Sequence, residues 1–148
     1  MNRAEMGRAE LVAAFAAVPE RFAAIVESFA ADPDAARVDR WSVREEILHQ
    51  LVVECVVWWR RLDDIAASED AQWSTTEPEL GNEPDPRDAA ALLRAFASAR
   101  AATVGRVAAL DEPGWARAGT HVKHGVLDVE GLLRLALSHD EEHLAAIG

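Results

Sequence analysis

Cysteine is nearly absent from this chain. Cys55 stands alone among 148 residues, so no intrachain disulfide can form, and a reducing compartment is the expectation. Positive charge is also scarce. Fifteen Lys and Arg face 26 Asp and Glu, for a formal net charge of −11. That balance argues against nucleic acid or an anionic membrane as the main partner. Lysine itself occurs once, as Lys123, against fourteen Arg. No apolar run is long enough to span a bilayer, and residues 1–10 carry charge without an apolar stretch ahead of a small-residue cleavage site. The expectation is a cytoplasmic protein without a signal peptide. Proline and glycine are few and cluster between periodic segments, and no repeat or low-complexity tract interrupts the chain. What remains is half apolar and rich in alanine, enough for one domain over residues 1–148 with a packed helical core.

Four periodic segments stand out. The first runs from about Ala4 to Ala31 with a stripe of Leu11, Phe15, Val18, Phe22, Ile25 and Phe29. Pro19 falls inside it and either kinks the helix or opens a second segment; the unbroken phase favours a kink. The second begins at Val43, after Ser42 and Glu45 at capping-box spacing, and continues to about Ala67. One stripe carries Ile47, Leu51, Cys55, Trp58, Leu62 and Ile65, another face His49, Val52, Val53 and Val56, and a narrow polar strip Gln50, Glu54 and Arg61. The third is expected from Pro86, capped by Asp85, to Leu110, through Leu93, Phe96, Thr103 and Val107. The fourth starts after a capping Asp128 and runs nearly to the C-terminus. No segment alternates as a strand would. The fold class is all-α, a four-helix bundle.

The last helix carries an anomaly. In heptad register Val129, Leu132, Ala136, His139, His143 and Ala146 form its seam, and two of these are imidazoles one turn apart. A buried imidazole needs a partner for each ring nitrogen. His49 lies ~9 Å into the second helix, and His143 and His139 lie ~8 and ~14 Å from the chain end. These depths coincide only if the second and fourth helices are antiparallel. Up-down-up-down order makes them parallel. Up-down-down-up order makes them antiparallel and needs a long crossover between helices two and three. Ser68 to Asp85 is such a crossover, since antiparallel neighbours need only ~2–8 residues. Loop length and histidine depth therefore point to one topology.

Three imidazoles with an open position match a catalytic zinc site. Nickel, iron or manganese accept the same ligands. Each ligand would rest its other nitrogen on a carboxylate or carbonyl, and Glu45, Glu46, Asp140 and Glu142 are within reach in sequence. The plainer readings are a pair of cations favoured by a helix C-terminus, against which the seam position argues, and a satisfied core histidine at position 49. Cys55 reads as a packed thiol. His121 and His124 have two-ligand spacing, but their connection, Asp111 to Leu127, is expected at the opposite end of the bundle, which makes them ordinary loop residues. Trp41, Trp73 and Glu77 are candidates for lining a substrate pocket near the Asp32–Trp41 connection and the crossover; a tryptophan folded back on the bundle is the alternative for Trp73.

The run Trp41-Ser-Val-Arg-Glu-Glu-Ile-Leu-His49, the apolar helix ending Arg60-Arg61-Leu62 and the late His139-Asp-Glu-Glu-His143 resemble the DinB-like (YfiT-like) superfamily of metal-dependent four-helix proteins. The resemblance covers nearly the whole chain. It implies an up-down-down-up bundle with a divalent metal on His49, His139 and His143, and dimers among its members, hence a homodimer as the expectation. It also implies a small-molecule substrate and chemistry of thiol transfer or hydrolysis. Some members use a low-molecular-weight thiol as cosubstrate, and the excess of Arg over Lys with abundant Ala fits a high-GC genome, which makes mycothiol a candidate. The alternative is a non-catalytic, stress-associated or ligand-binding bundle with a structural or vacant metal site.

Overall fold

The computed structural model describes residues 6–29, 31–74 and 85–148. Helix α1 spans Arg8–Ser28, shorter at both ends than the sequence suggests, with Pro19 inside one continuous helix. The second rod is continuous too, but its middle is widened by an extra residue: α2 (Val43–Val53) passes through a π turn (Glu54–Trp58) into α3 (Trp59–Ala67). Helix α4 is Ala89–Ala108, the short α5 is Glu112–Ala116, and α6 is Val129–Ile147. Ser42 starts α2 with the expected capping box, and the Asp128 carboxylate accepts the Gly131 N–H to start α6.

The cap of α4 departs from expectation. Asp88, not Asp85, accepts the Ala91 N–H, while the Asp34 carboxylate takes the Ala89 N–H from across the fold. Asp85 instead holds the Arg87 side chain and backbone N–H. With two carboxylates on the first turn, the helix needs no contribution from Pro86.

Contacts between the rods fix their directions. Arg8 meets Glu130 and Arg21 meets Glu141, so α1 and α6 are parallel. Glu46 meets His143 and His49 meets His139, so α2 and α6 are antiparallel. Glu54 meets Arg100 and Asp63 meets Arg106, so the second rod and α4 run the same way. The order is up-down-down-up, as histidine depth and crossover length require. The core runs along the axis through Leu11, Phe15, Phe22, Ile47, Leu92 and Phe96, all fully buried.

The absence of strands does not hold. Gln72–Trp73 (β1), Ala118–His121 (β2) and Gly125–Asp128 (β3) form a three-stranded sheet in that order, β1 parallel and β3 antiparallel to β2. Gly125, at φ 74°, closes the hairpin in a conformation that favours glycine. The second connection is therefore a short helix and a hairpin rather than a loop. Trp73 is buried against it: a Cβ on Gly119 would lie 2.4 Å from the Trp73 ring, so only glycine leaves room.

Candidate metal centre

Three histidines from two helices converge at the end of the bundle where α2 begins and α6 ends. His49 comes from the second turn of α2, and His139 and His143 from successive turns of α6. One ring nitrogen from each lies within 4.8 Å of the other two. His49 Nε2 and His139 Nε2 face each other at 3.1 Å. The His143 ring centroid sits 4.5 Å from that of His49 and 4.4 Å from that of His139. Three nitrogens ~2.0–2.1 Å from a tetrahedral ion would stand roughly 3.4 Å apart, a spacing the observed ones bracket. The donor set and its geometry fit a divalent metal.

The surroundings hold these rings in place. His143 Nδ1 donates to Glu46 Oε2 at 2.6 Å, which puts the ring proton on Nδ1 and leaves the Nε2 lone pair available. Arg37 backs this carboxylate, with Nη2 4.0 Å from Glu46 Oε1. The same guanidinium donates to the Trp41 carbonyl and to the Ala146 carbonyl, so it ties the 32–41 connection to the end of α6. Trp41 stacks on His143 at 6.1 Å and 13° and lies 4.9 Å from His49. Trp58 presents an edge to His139.

The remaining sequence candidates divide. Glu45 is taken by Ser42, whose N–H donates to Glu45 Oε1. Asp140 faces Arg100, with both carboxylate oxygens engaged at 3.0 and 3.1 Å. Glu142 is exposed on the rim of a cleft of about 400 Å³ beside His139. Trp73 packs under the sheet with its Nε1 donating to Asp64 Oδ2. Glu77 lies outside the described residues.

Two groups escaped the sequence. Gln50, Glu54 and Arg61, the narrow polar strip of the second helix, are all buried. Glu54 binds Arg100 through two hydrogen bonds of 3.0 Å and accepts from Thr103 Oγ1 at 2.7 Å, and Arg100 is 1 % exposed. Burial opposes the charge on Arg100, and Asp140 and Glu54 more than offset it, so its pKa is raised. Cys55, beside this cluster, has its thiol pushed up by burial and by the Glu54 carboxylate. A long charged side chain on an alanine-rich helix whose neighbours are apolar is the signal that could have singled out Arg100.

His121 and His124 are the second group. They line the cleft together with His139, rather than sitting at the far end. The hairpin explains it. Four residues of strand cover ~13 Å, nearly the ~15 Å by which His139 lies along α6 from Val129. The hairpin folds back along the bundle and delivers its tip to the cleft.

No curated protein matches the chain. Among solved structures it is similar to YfiT from Bacillus subtilis, described as "a probable metal-dependent hydrolase with an unusual four-helix bundle topology", at TM-score 0.77 and 17 % identity over 99 % of this chain and 89 % of that one. At that identity the likeness establishes the bundle topology alone. The sequence pattern of the DinB superfamily matches residues 3–147. The chain therefore belongs to the DinB superfamily.

Proposed function

We propose that His49, His139 and His143 hold a divalent metal, zinc first and nickel, iron or manganese as alternatives, in an enzyme that hydrolyses a small molecule. The observation that supports this is the convergence of three imidazole nitrogens within 4.8 Å, one of them on a ring braced by Glu46. A bound divalent ion supplies Lewis acidity that lowers the pKa of water or a thiol toward neutrality. The chain does the rest. Glu46 fixes the His143 tautomer, and Arg37 fixes Glu46. Trp41 and Trp58 shield the imidazoles from two sides, which limits competing water. The cleft at His139 gives a substrate its approach, with Glu142 placed to order water at the rim. Transfer of a low-molecular-weight thiol such as mycothiol is the second reaction the same ligands serve.

Metal analysis of untagged protein is the first test. Wild type is expected to carry one equivalent of metal and His143→Ala far less; absence of stoichiometric metal in wild type, even after reconstitution, sinks the reading. Activity is then sought with the loaded protein on ester and amide panels, and on electrophiles with and without mycothiol. Turnover that needs the thiol selects transfer over hydrolysis.

A further inference from the structure

The two helices that supply the imidazoles are joined by a side chain from a third. Arg100 belongs to α4, which carries none of the three histidines, and it is buried. Its Nε and Nη2 each donate to Glu54 at 3.0 Å, and its Nη1 and Nη2 donate to Asp140 at 3.0 and 3.1 Å. Nη1 gives its second N–H to the Phe15 carbonyl at 2.8 Å. A guanidinium has five N–H groups in one plane, and here each has an acceptor. Both carboxylates are gripped at both oxygens, so neither turns or slides without breaking a bond. Glu54 is braced a second time from the same helix. Thr103 Oγ1 donates to Glu54 Oε1 at 2.7 Å and accepts from Trp59 Nε1 at 2.6 Å.

Both carboxylates stand beside metal-site histidines in the chain. Glu54 opens the π turn five residues past His49, and Asp140 lies between His139 and His143. The bridge Glu54–Arg100–Asp140 therefore runs from the helix of one imidazole to the helix of the other two. Across that joint His49 Nε2 meets His139 Nε2 at 3.1 Å.

Stability alone is a poor reason for such a bridge. Buried charges give up their hydration, and apolar side chains of similar volume are often as stable in their place, or more so. What apolar contacts lack is direction. Leucine against leucine tolerates a small slide along the axis, whereas two paired forks fix the register. A metal centre built on two helices needs that register, because its ligands must be held within about 0.5 Å.

We infer that Arg100 is a positioning residue of the metal centre. Through Glu54 and Asp140 it sets α2 against α6, and so sets the distance from His49 to the pair His139 and His143. The inference deepens the metal reading above and rests on it for what is bound; the placement of the rings does not.

The test compares wild type with Arg100→Met and with the triple variant Glu54→Leu, Arg100→Met, Asp140→Leu, each well below its melting temperature. The triple variant serves if the single one does not fold, since it leaves no buried charge unpaired. Zinc affinity is read by competition with a fluorescent chelator. Chelator-treated protein is read by the NOE between the ring protons of His49 and His139. Both variants are expected to bind zinc about tenfold more weakly, and to lose the NOE seen in wild type. The sign separates position from charge. Removing a cation near a cation site tightens zinc binding by charge alone, so weaker binding in Arg100→Met reports geometry. A residue that only stabilises would lower the melting temperature and leave the affinity of the folded protein unchanged. Unchanged or tighter zinc binding in a folded variant overturns the inference, and so does an NOE that persists, whatever the affinity. A wild type that takes up no zinc sinks the metal reading instead, and the NOE alone then decides the role of Arg100.

Discussion

Pro19 and Arg100 are joined through the carbonyl of Phe15. A proline has no N–H, so the carbonyl four residues earlier in its helix loses its partner. That carbonyl belongs to Phe15, and Arg100 Nη1 donates to it at 2.8 Å. The guanidinium also lies 3.7 Å from the centre of the Phe15 ring. A proline inside α1 thus opens an acceptor in the core, and an arginine from α4 fills it. Its other donors reach Glu54 and Asp140, so one side chain ties together all four rods.

Removal of Arg100 is therefore expected to be severe. Arg100→Leu leaves two buried carboxylates without their cation, Glu54 keeping only Thr103 Oγ1, and the Phe15 carbonyl without a donor. Breaking a buried ion cluster from one side costs ~3–5 kcal/mol. Arg100→Lys should rescue little, since an ammonium cannot serve two carboxylates and a carbonyl in the guanidinium plane. Removing all three charges together, as Glu54→Leu, Arg100→Met and Asp140→Leu, should recover most of the loss. Urea unfolding of the single and triple variants checks this; a triple variant no more stable than Arg100→Leu contradicts the account.

Acid behaviour has a local marker at Asp85. Hydrogen bonds from the Arg87 side chain and backbone hold its carboxyl down to about 2, below the ordinary 3.8. A depressed folded-state pKa means a contribution that is present above the unfolded value and lost as pH falls through the folded one. The window is thus between about 4 and 2, and stability near neutrality is indifferent to it. A carbon-detected NMR titration should place the wild-type carboxyl near 2 and move it up toward 3.8 in Arg87→Ala. An unmoved midpoint would leave the low value without its cause.

The bundle was legible because its signals are periodic. Stripes at helical spacing, the Ser42 and Asp128 caps and the length of the crossover are local properties that a sequence displays, and the histidine depths then chose the topology. Glu46 could be nominated because one helical turn separates it from His49. The misreadings share another cause. Glu54 and Arg61 show in the sequence only as part of a polar strip, because burial of a charge depends on a partner from another element, here Arg100 for the first. The π turn adds to this, since its extra residue rotates Val57, Trp58 and Arg61 relative to α2 and no helical wheel anticipates it. The hairpin escaped because four-residue strands carry too little alternation to be seen, and with it went the position of His121 and His124.

The link between Glu46 and His143 carries a prediction for the proposed metal site. A carboxylate on the outer nitrogen fixes the ring and raises its basicity, and losing such a partner costs ~10–100-fold in affinity. Glu46→Gln keeps the shape and removes the charge. Competition with a fluorescent chelator should show zinc binding weakened by roughly that factor, with the melting temperature of chelated protein changed little. Arg37→Ala, one contact further out, should show a smaller loss of the same sign. Equal affinity in all three proteins would remove Glu46 from any role in the site.

Gly119 and Trp73 make a pair that can be tested by compensation. The Cβ of Gly119→Ala would stand 2.4 Å from one ring carbon of Trp73 and 2.8 and 2.9 Å from two others, so the indole must move. Overpacking of this kind costs ~1–3 kcal/mol. The indole cannot shift without breaking its hydrogen bond to Asp64 Oδ2 and leaving the Arg61 guanidinium. The damage should therefore reach the cleft as well as the melting temperature. Trp73→Leu alone should also destabilise, through lost burial. Combined with Gly119→Ala it should cost less than the sum of the two, because the smaller side chain leaves room for the methyl group. Strict additivity in thermal unfolding would mean that the glycine serves the backbone of β2 rather than the tryptophan packed across it.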